Sequence, residues 1–470
     1  MASLWASSAT TEAEVTTDAG WDRALASLTR RVAKLGAGDG KRRAGGDGDD
    51  KDSATVKGAE GEMHVGVLGA KGLGKSTFLR VAASRALDAA SSDIKVFVLD
   101  TDPGQPLFEL PGTLSLYEAV FENHAAVDGK PAAKKRKLAG KKRPRATNDA
   151  NGQQNRSWQS CASVFLGDVS PAMHPSSYMD CIAALFRVYE RRSADAPSVL
   201  FVNFQGWSLG LGAVMTAAAM QMARIGQAVH LRHMSKADAI EYDAKALDRV
   251  YRLSPAHIAG SAESAREMRF LRFASYFGAH NLADLDLKRA FSLECPREIQ
   301  LASLRADESA DLDLASAVEG ALVSICRPFD ERTCAQASLS QSADAEQQQD
   351  GEDEDDQASS DNESHVSSST MGPRFEVIAM GYVRASQNGV LTVVSPVSKQ
   401  DLVARGMTHL VLGTQGAPLA RWQASDVEAV ANASDRAFFA DPDVGLDLVP
   451  PSGVNRKNLK RRRLANRARR

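Results

Sequence analysis

Gly69-Ala70-Lys71-Gly72-Leu73-Gly74-Lys75-Ser76 fits G-x-x-x-x-G-K-[ST], the spacing of a phosphate-binding loop. The chemistry behind the spacing is electrostatic. Glycines let the backbone turn its N–H groups toward phosphate oxygens, and the N-terminus of the following helix adds its dipole. Residues Gly69 to Thr77 are the expected cradle. Lys75 would reach the β- and γ-phosphates, and the Ser76 hydroxyl would sit on Mg2+. A second cluster follows. The apolar run Val96–Leu99 ends in Asp100-Thr101-Asp102-Pro103-Gly104-Gln105. In an open parallel sheet, ligands gather at the C-terminal ends of strands. One acid there could hold the metal through water, and a second could accept a proton from an incoming hydroxyl. Solvated turn carboxylates are the alternative.

A GTPase reading fits less well. It wants D-x-x-G after the second strand, but Asp100 precedes Gly104 by one residue too many and Asp102 by one too few. Ser235-Lys236-Ala237-Asp238 resembles a guanine-reading N/T-K-x-D with the wrong first residue, and reads as a turn or helix start.

The elements that must position these groups follow from apolar patterning. Strands are expected at 63–68, 95–99, 161–166, 198–203 and 228–233, and helices at about 75–87, 175–191 and 211–225. Continuous apolar strands alternating with helices predict an α/β fold, a P-loop parallel sheet with helices on both faces. Trp21 to Leu35 has the pattern of one amphipathic helix, within a region 1–60 otherwise expected to be disordered or shortened. The P-loop domain is placed at 61–335, interrupted by a basic insert at 124–157. Beyond 240 the pattern looks more helical, and 260–280 carries spaced arginines. An acidic linker at 336–372 leads to a small C-terminal β-rich domain at 373–445, where Asn388-Gly389 between apolar runs signals a hairpin. A basic tail, 446–470, ends the chain.

The 470 residues are 43% hydrophobic with net charge −2, so the overall balance is silent about partners. The distribution is not. Residues 130–145 and 456–470 are basic, and Glu352 to Asp356 is an unbroken acidic run; such blocks repel themselves and stay solvated. Cys161, Cys181, Cys295, Cys326 and Cys334 show no metal-ligand spacing and read as reduced thiols. No stretch approaches the length of a membrane span, and the N-terminus does not fit a signal peptide.

The ordered series of motifs resembles the polynucleotide 5′-hydroxyl kinase family. It comprises Gly69–Ser76, then Asp100–Pro106 with Pro111-Gly112. Phe165–Pro171 follows with His174-Pro175 and Tyr178, then Asn203–Trp207 with Gly210 and Gly212. Met380–Arg384 and Val394–Val397 resemble the C-terminal domain of its nucleolar, pre-rRNA-processing branch. The sister branches act in cleavage/polyadenylation and tRNA splicing.

The resemblance implies ATP and Mg2+ as cofactors and an RNA 5′-OH as acceptor. It makes Asp102 the general base and Asp100 the acid of the metal shell, with Lys75 catalytic. Gln105, Pro111 and Gly112 fall in the acceptor-binding segments, and Trp207 would stack on the terminal base. A buried core indole is the alternative for Trp207. A lid would bring arginines over the γ-phosphate; Arg266 and Arg269 are the candidates, while Arg272 is equally readable as a solvated helix face. The implied setting is pre-rRNA internal spacer processing in the nucleus and nucleolus, beside an endoribonuclease that leaves the 5′-OH. Lys134–Lys137 resembles an import signal, and the basic runs could also hold RNA phosphates. A tRNA-splicing or cleavage-complex kinase, and an ATP-binding scaffold with little transfer activity, are the competing readings. Three features depart from the family pattern. Only about 60 residues precede the P-loop, where the nucleolar branch has a β-domain. The basic insert is long. Leu107–Leu110 lacks the family's frequent Thr.

Overall fold

The computed structural model describes residues 15–35, 61–121, 156–233, 247–258, 265–278, 286–304, 318, 320–336 and 374–413. The basic insert and tail, the acidic run, Ser235–Asp238 and the chain beyond 413 lie outside these residues.

In chain order the elements begin with β1 (Val15–Thr16), α1 (Ala19–Leu35), β2 (Glu62–Leu68), α2 (Lys75–Ala89), β3 (Lys95–Asp100), β4 (Thr113–Phe121) and β5 (Arg156–Phe165). Next are α3 (Pro175–Ser193), β6 (Ser198–Asn203), α4 (Leu211–Met222), β7 (Gln227–Leu231), β8 (Arg249–Leu253), β9 (His257–Ile258) and α5 (Ala265–Phe277). The remainder is β10 (Ala290–Glu294), β11 (Gln300–Ser303), β12 (Leu322–Pro328), α6 (Glu331–Gln336), β13 (Phe375–Gln387), β14 (Val390–Val394), α7 (Lys399–Ala404) and β15 (His409–Leu412).

Strands β3, β6, β2, β7 and β8 are mutually parallel and adjacent in that order. Both faces are covered. Val65, Val67, Val96, Val98, Val199 and Phe201 pack under α1 and α2. Phe97, Leu99, Leu200 and Val202 face the apolar sides of α3 and α4. This is the expected layered α/β fold, and two-sided burial explains why the strands read as unbroken apolar runs. Between the strand feeding Gly69 and the strand ending in Asp100 lies β6, so three strand ends converge at one mouth.

The helix expected at Trp21–Leu35 is present as Ala19–Leu35 and is integral to the P-loop domain, while two other expectations need correction. Trp21 is 1% exposed, meets Phe78 of α2 edge-on, and donates from Nε1 to the Ser254 carbonyl at 2.9 Å. The C-terminal β-rich domain does not start at 373. Strand β10 pairs with β14 and β12 with β13 and β15, so segments from 290 onward already belong to it, and Glu376 of β13 joins Val164 of β5 in the same 13-stranded sheet. The described chain beyond 240 is also richer in strand than expected, because these strands are short and their partners distant in sequence.

Among the described residues, no helix is long and apolar enough to cross a membrane.

Candidate active site

The phosphate-binding loop closes between β2 and α2 with close backbone approaches. Gly69 has φ +138°, and a Cβ there would lie 2.2 Å from the Leu231 carbonyl oxygen, so only glycine fits. The Lys75 side chain is buried and arches back over the loop, with Nζ donating to the Ala70 carbonyl at 3.2 Å. Burial holds its ammonium below the usual lysine range, while Asp102 pulls it the other way. Ser76 and Thr77 follow in the first turn of α2, half-buried.

Asp100 ends β3 in register with Asn203, the last residue of β6. It is fully buried. Oδ1 accepts from Asn203 Nδ2 at 2.8 Å and from the Asp102 N–H at 3.3 Å, and Oδ2 accepts from the Leu107 N–H. Burial pushes its pKa up to about 7, against the pull of these donors. Arg80 of α2 and Arg272 of α5 face it, each held below the usual arginine range by burial and favoured as a cation by Asp100.

Asp102 leaves the strand and turns. Its Oδ1 accepts from the N–H groups of Gly104 (3.0 Å) and Gln105 (3.1 Å), which closes the Pro-Gly turn around it. No hydrogen bond falls on Oδ2 among the described residues. The side chain is half-buried and lines a cleft of about 190 Å3 together with Lys71, Gln105, Gly206, Trp207 and Arg269. A half-buried carboxylate with one anchored and one open oxygen, beside two cations, can accept a proton from a bound hydroxyl.

The far wall is the 203–212 loop. Gln205 clamps it: Oε1 accepts from the Trp207 N–H at 2.7 Å, and Nε2 donates to the carbonyls of Trp207 (3.0 Å) and Gly212 (3.1 Å). The Trp207 ring lies directly over Gly212, where a Cβ would come within 2.4 Å of it. Trp207 is half-buried, lining the cleft while also packing against the core under α3 and α4. Val169, Ser170 and Pro171 complete the lining, and Asp168 Oδ1 accepts from the Ser170 N–H at 2.9 Å.

The expected residues are thus partly assembled. Lys71, Asp102, Gln105, Trp207 and Arg269 share the cleft, and the buried Lys75 and Asp100 lie close enough to Asp102 to interact with it electrostatically. Pro111 and Gly112 do not line it. Both are buried, and Gly112 bonds back to Pro103 (2.8 Å) and on to Leu166 (2.9 Å), closing the loop from behind. Arg266 sits in α5 with its side chain outside the described residues. Arg272 is not a solvated face residue: it is half-buried, and Nη1 donates to the Glu109 carbonyl at 2.9 Å. Asn203, Gln205 and Arg272 carry structural tasks that sequence reasoning left unassigned. The first two lie in motif segments, which was the available signal.

Residues 69–279 match the family model described as "mRNA cleavage and polyadenylation factor CLP1 P-loop". The chain is 25% identical over 221 residues to the polynucleotide 5′-hydroxyl-kinase GRC3 of Gibberella zeae, covering 46% of this chain and 28% of that protein. It is 28% identical over 160 residues to GRC3 of Saccharomyces cerevisiae, covering 33% and 22%. These matches span about a quarter of the length of the curated relatives. Among solved structures, a Clp1p–Pcf11p complex aligns with a TM-score of 0.47 at 12% identity, over 83% of this chain and 78% of that one.

Proposed function

We propose that this chain, whose P-loop domain belongs to the polynucleotide 5′-hydroxyl kinase family, transfers the γ-phosphoryl group of ATP to the 5′-hydroxyl of an RNA end. The observation that carries the reading is the meeting of Asp102, Arg269 and the P-loop residue Lys71 in one cleft against the Trp207 platform. Donor and acceptor sites therefore share a wall.

The terminal base stacks on Trp207, which fixes the ribose end without reading sequence. The open Oδ2 of Asp102 takes the hydroxyl proton as the ribose oxygen bonds to the γ-phosphorus. The bond from that phosphorus to the β,γ-bridging oxygen breaks, and the electron pair leaves with ADP. Lys75 and Arg269 offset charge on the transferring group, the main catalytic contribution in a loose phosphoryl-transfer transition state.

The residues fit a magnesium ion. The Ser76 hydroxyl follows Lys75, and the buried Asp100 carboxylate ends β3, one strand removed from β2 in the sheet. A magnesium ion at a phosphate site is held by one or two protein oxygens together with phosphate oxygens and water. Ser76, and Asp100 through water, would hold it, and it would neutralise the β- and γ-oxygens.

The setting we propose is pre-rRNA spacer processing in the nucleolus, after an endoribonuclease that leaves a 5′-OH. What supports it is the similarity to the GRC3 polynucleotide 5′-hydroxyl-kinases, the resemblance carried by Met380–Arg384 and Val394–Val397, and the basic runs at 130–145 and 456–470.

Incubating the chain with γ-labelled ATP and a 5′-OH RNA oligonucleotide tests the activity, with Lys75→Ala as control. Label at the RNA 5′ end in wild type only is the expected result. Nucleotide binding without transfer, in folded protein, would replace the kinase by an ATP-bound scaffold.

A further inference from the structure

We propose that Arg272 is a positioning residue that couples the helix over the cleft to the turn carrying Asp102; this rests on the kinase reading above. Arg269 and Arg272 are three residues apart on α5, so they share a face of the helix. Arg269 reaches the cleft. Arg272 instead grips the segment below it, with Nη1 on the Glu109 carbonyl (2.9 Å) and Nη2 on the Leu107 carbonyl (3.5 Å).

That segment is the other half of the base's mounting. The Leu107 N–H donates to Asp100 Oδ2, and Asp100 Oδ1 accepts the Asp102 N–H. A continuous path therefore runs from the Arg272 guanidinium through both backbone groups of Leu107 and the Asp100 carboxylate to the Asp102 backbone. The segment is rigid on its far side. The Glu109 carboxylate is buried and accepts from Tyr117 Oη and from Ser163 Oγ (3.0 Å).

The C-terminal turns of the helix are anchored in the core. Phe273 and Phe277 are buried with Leu110, Phe165 and Tyr382, and Tyr276 Oη accepts the Met380 N–H at 3.0 Å. The end bearing Arg269 lies over the cleft. Arg272 sits where the anchored half meets the covering half, so a helix drawn onto bound nucleotide by Arg269 pulls on the Leu107–Glu109 backbone. Phosphate capture and placement of the base are then one movement.

The full chain, as wild type, Arg272→Gln and Arg272→Lys, tests this. Steady-state transfer to a 5′-OH RNA gives kcat and both KM values, and a fluorescent ATP analogue gives nucleotide affinity. Arg272→Gln is expected to lose about 100-fold in kcat, the scale of an ångström-sized misplacement, with nucleotide affinity and acceptor KM within about threefold of wild type. Arg272→Lys, which keeps a donor for one carbonyl, recovers part of the rate. A kcat near wild type in folded Arg272→Gln overturns the proposal. So does a parallel loss of rate, affinity and unfolding midpoint that Lys does not relieve, since that marks a mere anchor. Amide exchange separates this from failure of the kinase reading. ATP with Mg2+ must slow exchange across 102–109 in wild type but not in Arg272→Gln, whether or not any phosphate is transferred. Absence of slowing in wild type contradicts the coupling.

Discussion

Asn203 Nδ2 donates to Asp100 Oδ1 across 2.8 Å, between residues paired in register at the ends of adjacent parallel strands. The contact holds a carboxylate that burial would rather protonate. Folding raises the Asp100 pKa from 3.8 to about 7. Between these values the folded chain keeps a proton that the unfolded chain has released, so this group's stabilising contribution is full at low pH and is lost as pH rises through about 7. The site therefore holds an unfavourable charge at working pH.

Asp100→Asn should remove that penalty. Asn203 Oδ1 is buried without a hydrogen-bond partner among the described residues, and a turned amide would offer it to the new N–H. The unfolding midpoint of the nucleotide-free variant is expected to exceed that of wild type near pH 8. The advantage should shrink toward about pH 5, while transfer activity falls. Thermal unfolding of both proteins across this range checks it; a variant less stable at every pH would show that the carboxylate is needed for its hydrogen bonds.

Gly206 is where the 203–212 loop touches the phosphate-binding loop. A Cβ there would lie 3.1 Å from the N, Cα and Cβ atoms of Lys71. Lys71 and Gly72 are exposed, so the loop apex should yield before the core does. Gly206→Ala is expected to weaken nucleotide affinity by about tenfold, with less than the ~1–3 kcal/mol of an overpacked core lost from stability. Titration with a fluorescent nucleotide, beside chemical denaturation, separates the two.

Trp207 offers a stacking face in the cleft. Trp207→Leu should cost about 1–3 kcal/mol of acceptor binding, read as a rise of roughly 5- to 150-fold in KM for RNA. Nucleotide affinity should be unchanged. An unaltered RNA KM would return Trp207 to a purely structural role in the 203–212 loop.

The parallel sheet and the P-loop were legible because buried strands read as apolar runs and a loop on phosphate needs glycine at fixed offsets. Asp102, Gln105 and Trp207 were legible through their motifs. The rest depended on contacts distant in sequence. Strand β4 escaped notice because Thr113, Ser115 and Glu118 are polar yet buried, with Glu118 paired to Arg192 across the fold. Pro111 and Gly112, expected to bind the acceptor, are buried and do not line the cleft. Arg269 and Arg272 are one residue type at one helical spacing, and only the loop beneath Arg272 gives them different tasks.

Helix α1 was legible from its amphipathic pattern, but its place in the core of the P-loop domain was not. Its Ala- and Arg-rich stretch buries Trp21, Leu25, Leu28 and Val32 against the P-loop domain. Trp21→Ala should destabilise the domain by about 3–5 kcal/mol, measured by urea denaturation. A loss below about 1 kcal/mol would mean that α1 contributes little to the fold.

The central claim is that Asp102 takes the proton. Asp102→Asn is a clean test, because the amide oxygen can still accept from Gly104 and Gln105 and so keep the turn. Single-turnover transfer from ATP to a 5′-OH RNA, with both substrates saturating, should slow by about 100- to 10,000-fold while binding of each substrate is retained. A rate near wild type, with the turn intact, would contradict the account and leave the carboxylate a structural role only.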